Sequence, residues 1–357
     1  MTSENTISVR RMVPSARYSF RESVVRGVWS PITARVAALT YDGQLHLLEG
    51  ESLTLAKTVM AHDGGGLDLK WSPDGRRLAT SGQDGSVRIW DAHDLSLLRS
   101  LPCGSQWVEH VAWQDFSTLA AAMGRKIFLG AVESGEWFEA YSANGAITGL
   151  AWRPNGELVL TTNGQCLRLA VADRIPAQVV GGFNYPVAML RLALSPQGTY
   201  AAIGCQDSSA RVWLVDEDEN GLAMRGYDEK VQVVAWDSGG QQLAVSGGAL
   251  VAVWSFKNQS PEGTKPRELL GHSHLVVDAA FSPCGRYLSS VDKGGILCVW
   301  DITNECLSPV AAALNPVSFQ VLGWSMDGSR IFTGDLDGVF AIWTMEDTKP
   351  LVLSQQG

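Results

Sequence analysis

An all-β fold, one ring of repeated four-stranded antiparallel sheets, is predicted for these 357 residues by three observations. A bulky anchor, usually tryptophan before Ser-Pro or a near equivalent, recurs every 39 to 45 residues: Trp29, Trp71, Trp113, Trp152, Leu194, Trp236, Phe281 and Trp324. Between anchors lie short β-branched and aromatic runs, and no long segment carries the 3.6-residue period of a helix. The repeat also fills the chain, so a length that alone suggests two or three domains resolves to one domain over residues 1–357. A period of roughly 40–45 residues is that of propeller blades. The expected architecture is therefore a single β-propeller of four-stranded antiparallel blades, eight in number, because seven would need about 51 residues each.

The second repeat shows how each element is justified. Leu67 to Trp71 is an apolar first strand, followed by Ser72-Pro73-Asp74-Gly75, where proline presets φ and glycine takes the left-handed turn position. Arg77 to Thr80 is the second strand, Asp84-Gly85 the tight turn, Val87 to Trp90 the third strand and Leu97 to Leu101 the outer one. Two or three such turns per repeat account for the 37 glycines. A ring of sheets also needs a closing strand. The segment from Ile7 to Val13 is expected to supply it, with Lys349 to Leu353 as the alternative.

Composition removes several function classes. Lys+Arg 28 against Asp+Glu 37 gives a net charge of −9, which disfavours a general phosphate-backbone binder. With 45% hydrophobic and 18% charged residues, disorder is excluded. Met1 to Pro14 lacks the apolar core of a signal peptide, and no stretch approaches the length of a membrane span. The six cysteines form no CxxC pair, so neither a zinc ribbon nor a disulfide framework is indicated and a cytoplasmic location is expected.

The repeats resemble the WD-repeat (WD40) β-propeller family over essentially the whole chain. Trp90-Asp91 and Trp300-Asp301 supply the dipeptide that names it, and Gly271-His272 is a further match. The resemblance implies a buried hydrogen-bonded set of His, Ser/Thr, Asp and Trp in each complete repeat. By position, His62, Thr80, Asp84 and Trp90 match all four members. His272, Ser290 and Trp300 match three, with Gly294 where the aspartate is expected. Asp207/Trp213 and Asp337/Trp343 keep two, Thr333 being available to the latter pair. Elsewhere the histidine column reads Phe20, Gly104, Ala143, Tyr185, Tyr227 and Asn315, which suggests apolar packing in repeats 1, 3, 4 and 6. The family resemblance also implies a rigid platform that engages proteins or peptides at a loop face and around the central channel.

No catalytic signature is present: HExxH, GxSxG, GxxxxGK[ST] and GxGxxG are all missing. The six histidines do not cluster at ligand spacing, and His272 reads as a buried structural residue rather than a metal ligand. The acidic run Asp216-Glu217-Asp218-Glu219 lacks the glycine and terminal glutamate of a calcium loop and reads as a solvated turn. The connection from Lys257 to Pro266 reads as a surface loop. No metal, cofactor or enzymatic activity is expected.

Two departures from what packing requires mark candidate binding residues. Six of the 13 tryptophans are anchors and five (90, 213, 254, 300, 343) fall on third strands, all core columns. Trp107 and Trp137 are left over, both in repeat 3. Trp137 is expected to pack on the third strand. Trp107, in the loop entering the first strand, either displays a contact surface or fills the space left by Gly104. The second departure is the column three residues before each anchor: Arg26, Asp68, His110, Gly149, Arg191, Val233, Asp278 and Val321. Charges on an innermost strand must be paired or face a hydrated channel. Trp107, Glu109, His110, Arg26, Asp68, Arg191 and Asp278 thus define a partner-binding face. The expected function is a non-enzymatic scaffold for a protein or peptide, with no membrane contact and nucleic acid disfavoured. The alternative is a propeller that holds a small ligand or metal over the channel.

Overall fold

A computed structural model describes residues 6–172, 175–217, 221–257, 260–344 and 350–354. Every regular element among them is a β-strand. The innermost strands follow one another around a ring: Val24–Trp29, Gly66–Trp71, Val108–Trp113, Ile147–Trp152, the 189–194 part of Ile175–Leu194, Val233–Trp236, Val276–Phe281 and Phe319–Trp324. Each packs against the next, and Phe319–Trp324 packs against Val24–Trp29 to close the circle.

Hydrogen bonding groups these strands into seven sheets, five of four strands and two of six. The expected eight separate four-stranded blades are corrected accordingly: the propeller has seven hydrogen-bonded sheets, not eight. Anchor spacing counts innermost strands, whereas pairing counts sheets. Repeats 4 and 5 share one sheet because Ile175–Leu194 runs unbroken from one into the other. Its first part pairs with Leu158–Ala172 and its last part with Tyr200–Cys205. Phe183 to Ala188, which joins the two parts, stays in the strand.

Ring closure also differs from expectation. The strand that pairs with Val339–Thr344 is Val13–Ser19. The preceding Thr6–Arg11, which contains most of the segment from Ile7 to Val13, lies on the neighbouring sheet instead. There it runs parallel to Ala311–Leu314 and antiparallel to Pro350–Ser354. Met12, the residue between the two strands, is buried and donates its N–H to Ala312. That anchorage fixes the point at which the chain passes from one sheet to the next.

The core is a circle of interfaces between adjacent sheets rather than one central mass. One such interface joins Ala79, Val87 and Ile89 of repeat 2 to Val108, Val111 and Leu119 of repeat 3. The two tryptophan columns contribute differently. Third-strand Trp90, Trp213, Trp254, Trp300 and Trp343 are buried. The anchors other than Trp324 are only half-buried, and five of the eight anchors, Trp324 included, pin neighbouring repeats together. The indole N–H of Trp71 donates to the carbonyl of Val28 (3.1 Å), Trp113 to Lys70 (3.3 Å) and Trp152 to Ala112 (3.0 Å). Trp236 donates to Ala193 (3.1 Å) and Trp324 to Ala280 (3.0 Å). In each case the acceptor is the residue just before the preceding anchor, so the 39- to 45-residue period is also a hydrogen-bond period.

Candidate partner-binding face and channel

The buried polar set of repeat 2 explains its local rigidity. His62 and Thr80 are fully buried. Trp90 Nε1 donates to Thr80 Oγ1 (2.9 Å), and His62 Nε2 lies 2.8 Å from the same oxygen. His62 Nδ1 lies 2.9 Å from Asp84 Oδ1. One proton arrangement satisfies all four groups: Thr80 donates to Nε2, and a neutral ring donates from Nδ1 to the carboxylate. Burial lowers the His62 pKa against the pull of Asp84, consistent with that neutral form.

Repeat 7 forms a related but shifted set. His272 lies 2.6 Å from Ser290 Oγ and 3.0 Å from Asp292 Oδ2. The aspartate thus comes from two residues before Gly294. Trp300 donates to the carbonyl of Leu270 (3.3 Å) instead of to Ser290. The repeats with altered histidine positions are not all apolar. In repeat 6 Trp254 donates to the Tyr227 hydroxyl (3.0 Å). In repeat 8 Asn315 donates to Asp335 (2.9 Å), not Asp337, while Trp343 donates to Thr333 (2.8 Å). Repeat 1 places His46 between Thr58 (2.9 Å) and Thr40 (3.3 Å), under the Phe20 ring.

The partner-binding candidates gather at one end of the ring. Connections entering first strands and turns between second and third strands share that face, since strands alternate in direction. The innermost strands begin there, so the column three residues before each anchor lies near the channel mouth. Pairing shifts register at this level, between Val24 and Arg26, Gly66 and Asp68, Val108 and His110, Met189 and Arg191, and Val276 and Asp278. Each shift is a bulge that leaves one residue unpaired and re-aims its neighbours. Glu109 is one such residue; it is exposed at the rim, and partial desolvation by its surroundings raises its carboxyl pKa.

Within the channel, Arg26 Nε bonds Asp68 Oδ1 at 3.3 Å, as expected of charges on adjacent repeats. Asp68 also accepts the backbone N–H of Leu69 (3.0 Å) and, across to the next repeat, of Val111 (3.1 Å). Burial opposes its ionisation, but Lys70 and Arg26 hold its carboxyl below the ordinary range. Asp278 repeats the pattern, accepting from Ala279 (3.0 Å) and from Leu322 of the next repeat (3.0 Å). Burial raises it to about 6. Burial pushes the His110 imidazole down to about 4 against the pull of Asp68, with Arg26, Lys70 and Arg191 adding repulsion. Arg191 is lowered by burial and by Arg26. No group of three or more His, Cys, Asp or Glu side chains placed to hold a metal occurs among the described residues.

Trp107 is 52% exposed. The space beside Gly104 is occupied by the Met123 side chain, whose Cε would lie 2.9 Å from an added Cβ, so Trp107 is not needed there. The loop is held low: a Cβ on Gly85 would lie 2.0 Å from the Gly104 carbonyl, and Gly85 sits at φ 73°. Trp137 instead stacks on Phe128 of the third strand, with centroids 6.1 Å apart and planes 13° apart. A second exposed aromatic, Tyr41, lies on the same face in the turn after Arg35–Thr40 and was not singled out from the sequence. A Cβ on Gly65 would lie 2.9 Å from the Tyr41 carbonyl, so Tyr41 stands beside the loop entering repeat 2. Comparing second-to-third-strand turns would have found it, since Tyr41 alone is aromatic among them.

The described part of the acidic run, Asp216 and Glu217, is exposed, as a solvated turn would be, and Asp216 is also ion-paired. Asp216 accepts two hydrogen bonds from Arg153, both 2.9 Å, and one from Arg168 (2.7 Å). Asp218 and Glu219 lie outside the described residues, as do 258–259 of the connection from Lys257 to Pro266 and Lys349 of the alternative closing segment. All six cysteines are free thiols.

This architecture, a closed ring of antiparallel sheets with His-Ser/Thr-Asp-Trp sets, is that of a WD40 β-propeller. Residues 53–91 and 263–301 match the profile of the WD domain, G-beta repeat. Among curated relatives, a Xenopus laevis WD repeat and HMG-box DNA-binding protein 1 is 25% identical over 270 residues, 70% of this chain and 23% of that protein. The Schizosaccharomyces pombe WD repeat-containing protein srw1 is 26% identical over 245 residues, 66% and 43% of the respective chains. The chain therefore spans less than half the length of these two relatives. Of solved structures, the computationally designed Ika8 protein superposes with a TM-score of 0.81 at 16% identity, covering 93% of this chain and 99% of its own. The C-terminal WD40 domain of Sif2 gives 0.79 at 16% identity, covering 95% and 99%. These two show the fold alone. The fold is typically non-catalytic, and no helix among the described residues is long and apolar enough to cross a membrane.

Proposed function

We propose that the chain is a non-enzymatic scaffold that captures a protein or peptide on the face carrying Trp107 and the channel mouth. The observation that carries this reading is Trp107 itself. A half-exposed indole stands on a loop whose space beside Gly104 is already filled by Met123. Large aromatics so placed are typical anchors of interfaces. Tyr41 on the same rim and the charged channel column beneath supply further contact area and polar specificity. The opposite face also exposes Ile32, Phe116 and Met326, but the charged groups there pair with one another, Arg35 with Glu49, Arg77 with Glu133 and Arg330 with Glu51. The net charge of −9 favours protein over nucleic acid; the DNA-binding wording belongs to the frog relative, of which this chain matches 23%.

The test is affinity capture from the native cell with wild type, Trp107→Ala and Arg191→Ala, quantified against their thermal melts. Truncation of an interface anchor costs about 2 kcal/mol or more, so capture should fall at least tenfold for Trp107→Ala while the melt is nearly unchanged. Equal capture by wild type and Trp107→Ala would remove this face from consideration.

A further inference from the structure

We infer that the channel mouth binds an anionic group, a carboxylate or a sulfate- or phosphate-like oxyanion, between Arg191 and Arg26; this deepens the platform reading by naming the chemistry its partner presents there. Arg26 and Arg191 lie four innermost strands apart whichever way the ring is followed. Both stand three residues before their anchors, hence at one level on opposite walls of the channel.

The carboxylates at that level are already engaged. Both oxygens of Asp278 accept backbone N–H groups, one from its own strand and one from the next repeat. Asp68 does the same and also takes Arg26. Arg191, by contrast, reaches a single acceptor among the described residues, the carbonyl of its neighbour Leu190 at 3.1 Å. A guanidinium offers five N–H donors in a planar fork suited to two oxygens of one anion. Gly149, Val233 and Val321 complete the layer without charge. The charged groups acting on the site are Arg26, Lys70 and Arg191 against Asp68 and Asp278, with His110 neutral and Glu109 on the rim. Counting Glu109, three cationic groups face three anionic ones, a balanced layer in a chain of net charge −9, in which Arg191 keeps unused donors for a negative guest. Protonation of Asp278 as pH falls through about 6 turns that balance into a cationic excess, so anion affinity should rise on acidification.

The experiment titrates the intact chain with sodium sulfate and, separately, with acetyl-Gly-Glu-Gly-amide, using acetyl-Gly-Gln-Gly-amide as the neutral control. The arginine Nε–H resonances lost in Arg191→Lys and in Arg26→Lys identify Arg191 and Arg26; the Arg26 shift, which survives in the Arg191 variants, reports binding free of the general stabilisation that sulfate gives folded proteins. Wild type should respond to both anions and not to the glutamine peptide. Arg191→Gln should weaken binding at least tenfold, and the exposed-edge control Arg99→Gln should not. Tighter binding of the glutamate peptide than of sulfate assigns the guest to a partner's acidic side chain; the reverse assigns it to a free anion. Unchanged titrations in Arg191→Gln, with its melt intact, would overturn the site. Trp107→Ala separates the two ideas: if it binds sulfate normally but loses the partner, both stand. If Arg191 proves irrelevant to anions while Trp107→Ala still loses the partner, only the anion site falls.

Discussion

Repeats 2 and 3 are adjacent copies of one pattern, yet they hold themselves together by different means. Repeat 2 closes around a buried relay from Trp90 through Thr80 and His62 to Asp84, in which each polar group has a partner. Repeat 3 has Gly104 where the histidine would stand and packs apolar groups instead: Met123 beside Gly104, and Trp137 over Phe128. The relay ties the loop entering repeat 2 to its second and third strands. The loop entering repeat 3 has no such tie, and its large aromatic points outward. Loss of the polar set in one repeat thus accompanies display of a contact residue, and the neighbouring intact set supplies a rigid flank.

The strongest way to break this comparison is at Trp90. Trp90→Ala should destabilise by about 3–5 kcal/mol, because it removes a buried indole and leaves Thr80 without its donor. Trp90→Phe retains most of the volume and should cost about 1–3 kcal/mol, the share of the relay alone. Equilibrium urea unfolding measures both. A negligible cost for Trp90→Phe beside a large one for Trp90→Ala would mean that packing, not the relay, stabilises repeat 2 as it does repeat 3.

A smaller effect tests what the two repeats share. Trp113→Phe removes the indole bond that repeat 3 makes to Lys70 of repeat 2 and should cost about 0.5–1.5 kcal/mol in the same assay. Trp71→Phe, which cuts the bond from repeat 2 to repeat 1, should cost a similar amount. A much larger loss at one junction would show that the ring is not stitched evenly.

The histidines sharpen the contrast through pH. His110 of repeat 3 has a folded-state pKa near 4, below the ordinary 6.5, because burial disfavours its charged form. The unfolded chain therefore takes up the proton first as pH falls, so this group lowers stability progressively below about pH 6.5. No hydrogen bond to its ring occurs among those of the described residues. His110→Gln should accordingly be near neutral at pH 7.5 and more stable than wild type at pH 5. His62→Gln should be destabilised at pH 7.5, because there the relay itself is lost. Unfolding free energies at the two pH values decide it, and a His110→Gln variant that loses stability equally at both would contradict the assignment.

Periodicity made the ring and the anchors legible, because turn residues and strand residues recur at fixed offsets, and the resemblance to WD repeats pointed to the repeat 2 relay. What it hid depended on partners distant in sequence. Nothing near Trp71 announces that its indole reaches Val28, since that acceptor is a backbone carbonyl of another repeat. Gly294 concealed the aspartate of repeat 7, because a carboxylate two residues earlier reaches the same nitrogen. Sheet count escaped for a similar reason: the residues from Phe183 to Ala188 carry Pro186, a turn former, yet remain in an unbroken strand shared by two repeats. In the channel, charge type was readable but allegiance was not. That Asp68 and Asp278 both brace the following repeat, leaving Arg191 open, follows only from where the next strand's N–H groups point.

The smallest expected effect on stability is the one that bears most on function. Trp107→Ala should change unfolding free energy by no more than about 0.5 kcal/mol, as for surface positions without a buried partner. Its indole is 52% exposed, and the neighbouring space is filled by Met123. Trp137→Ala, in the same repeat, should cost several times more, because its ring lies over Gly130 and against Phe128. The pair is a controlled comparison within one repeat: the same residue type, the same truncation, one packed and one displayed. If both variants lose stability equally, Trp107 belongs to the core of repeat 3 and the outward loop is a by-product of packing. If only Trp137 matters for folding while only Trp107 matters for capture, repeat 3 has divided its two surplus tryptophans between structure and recognition.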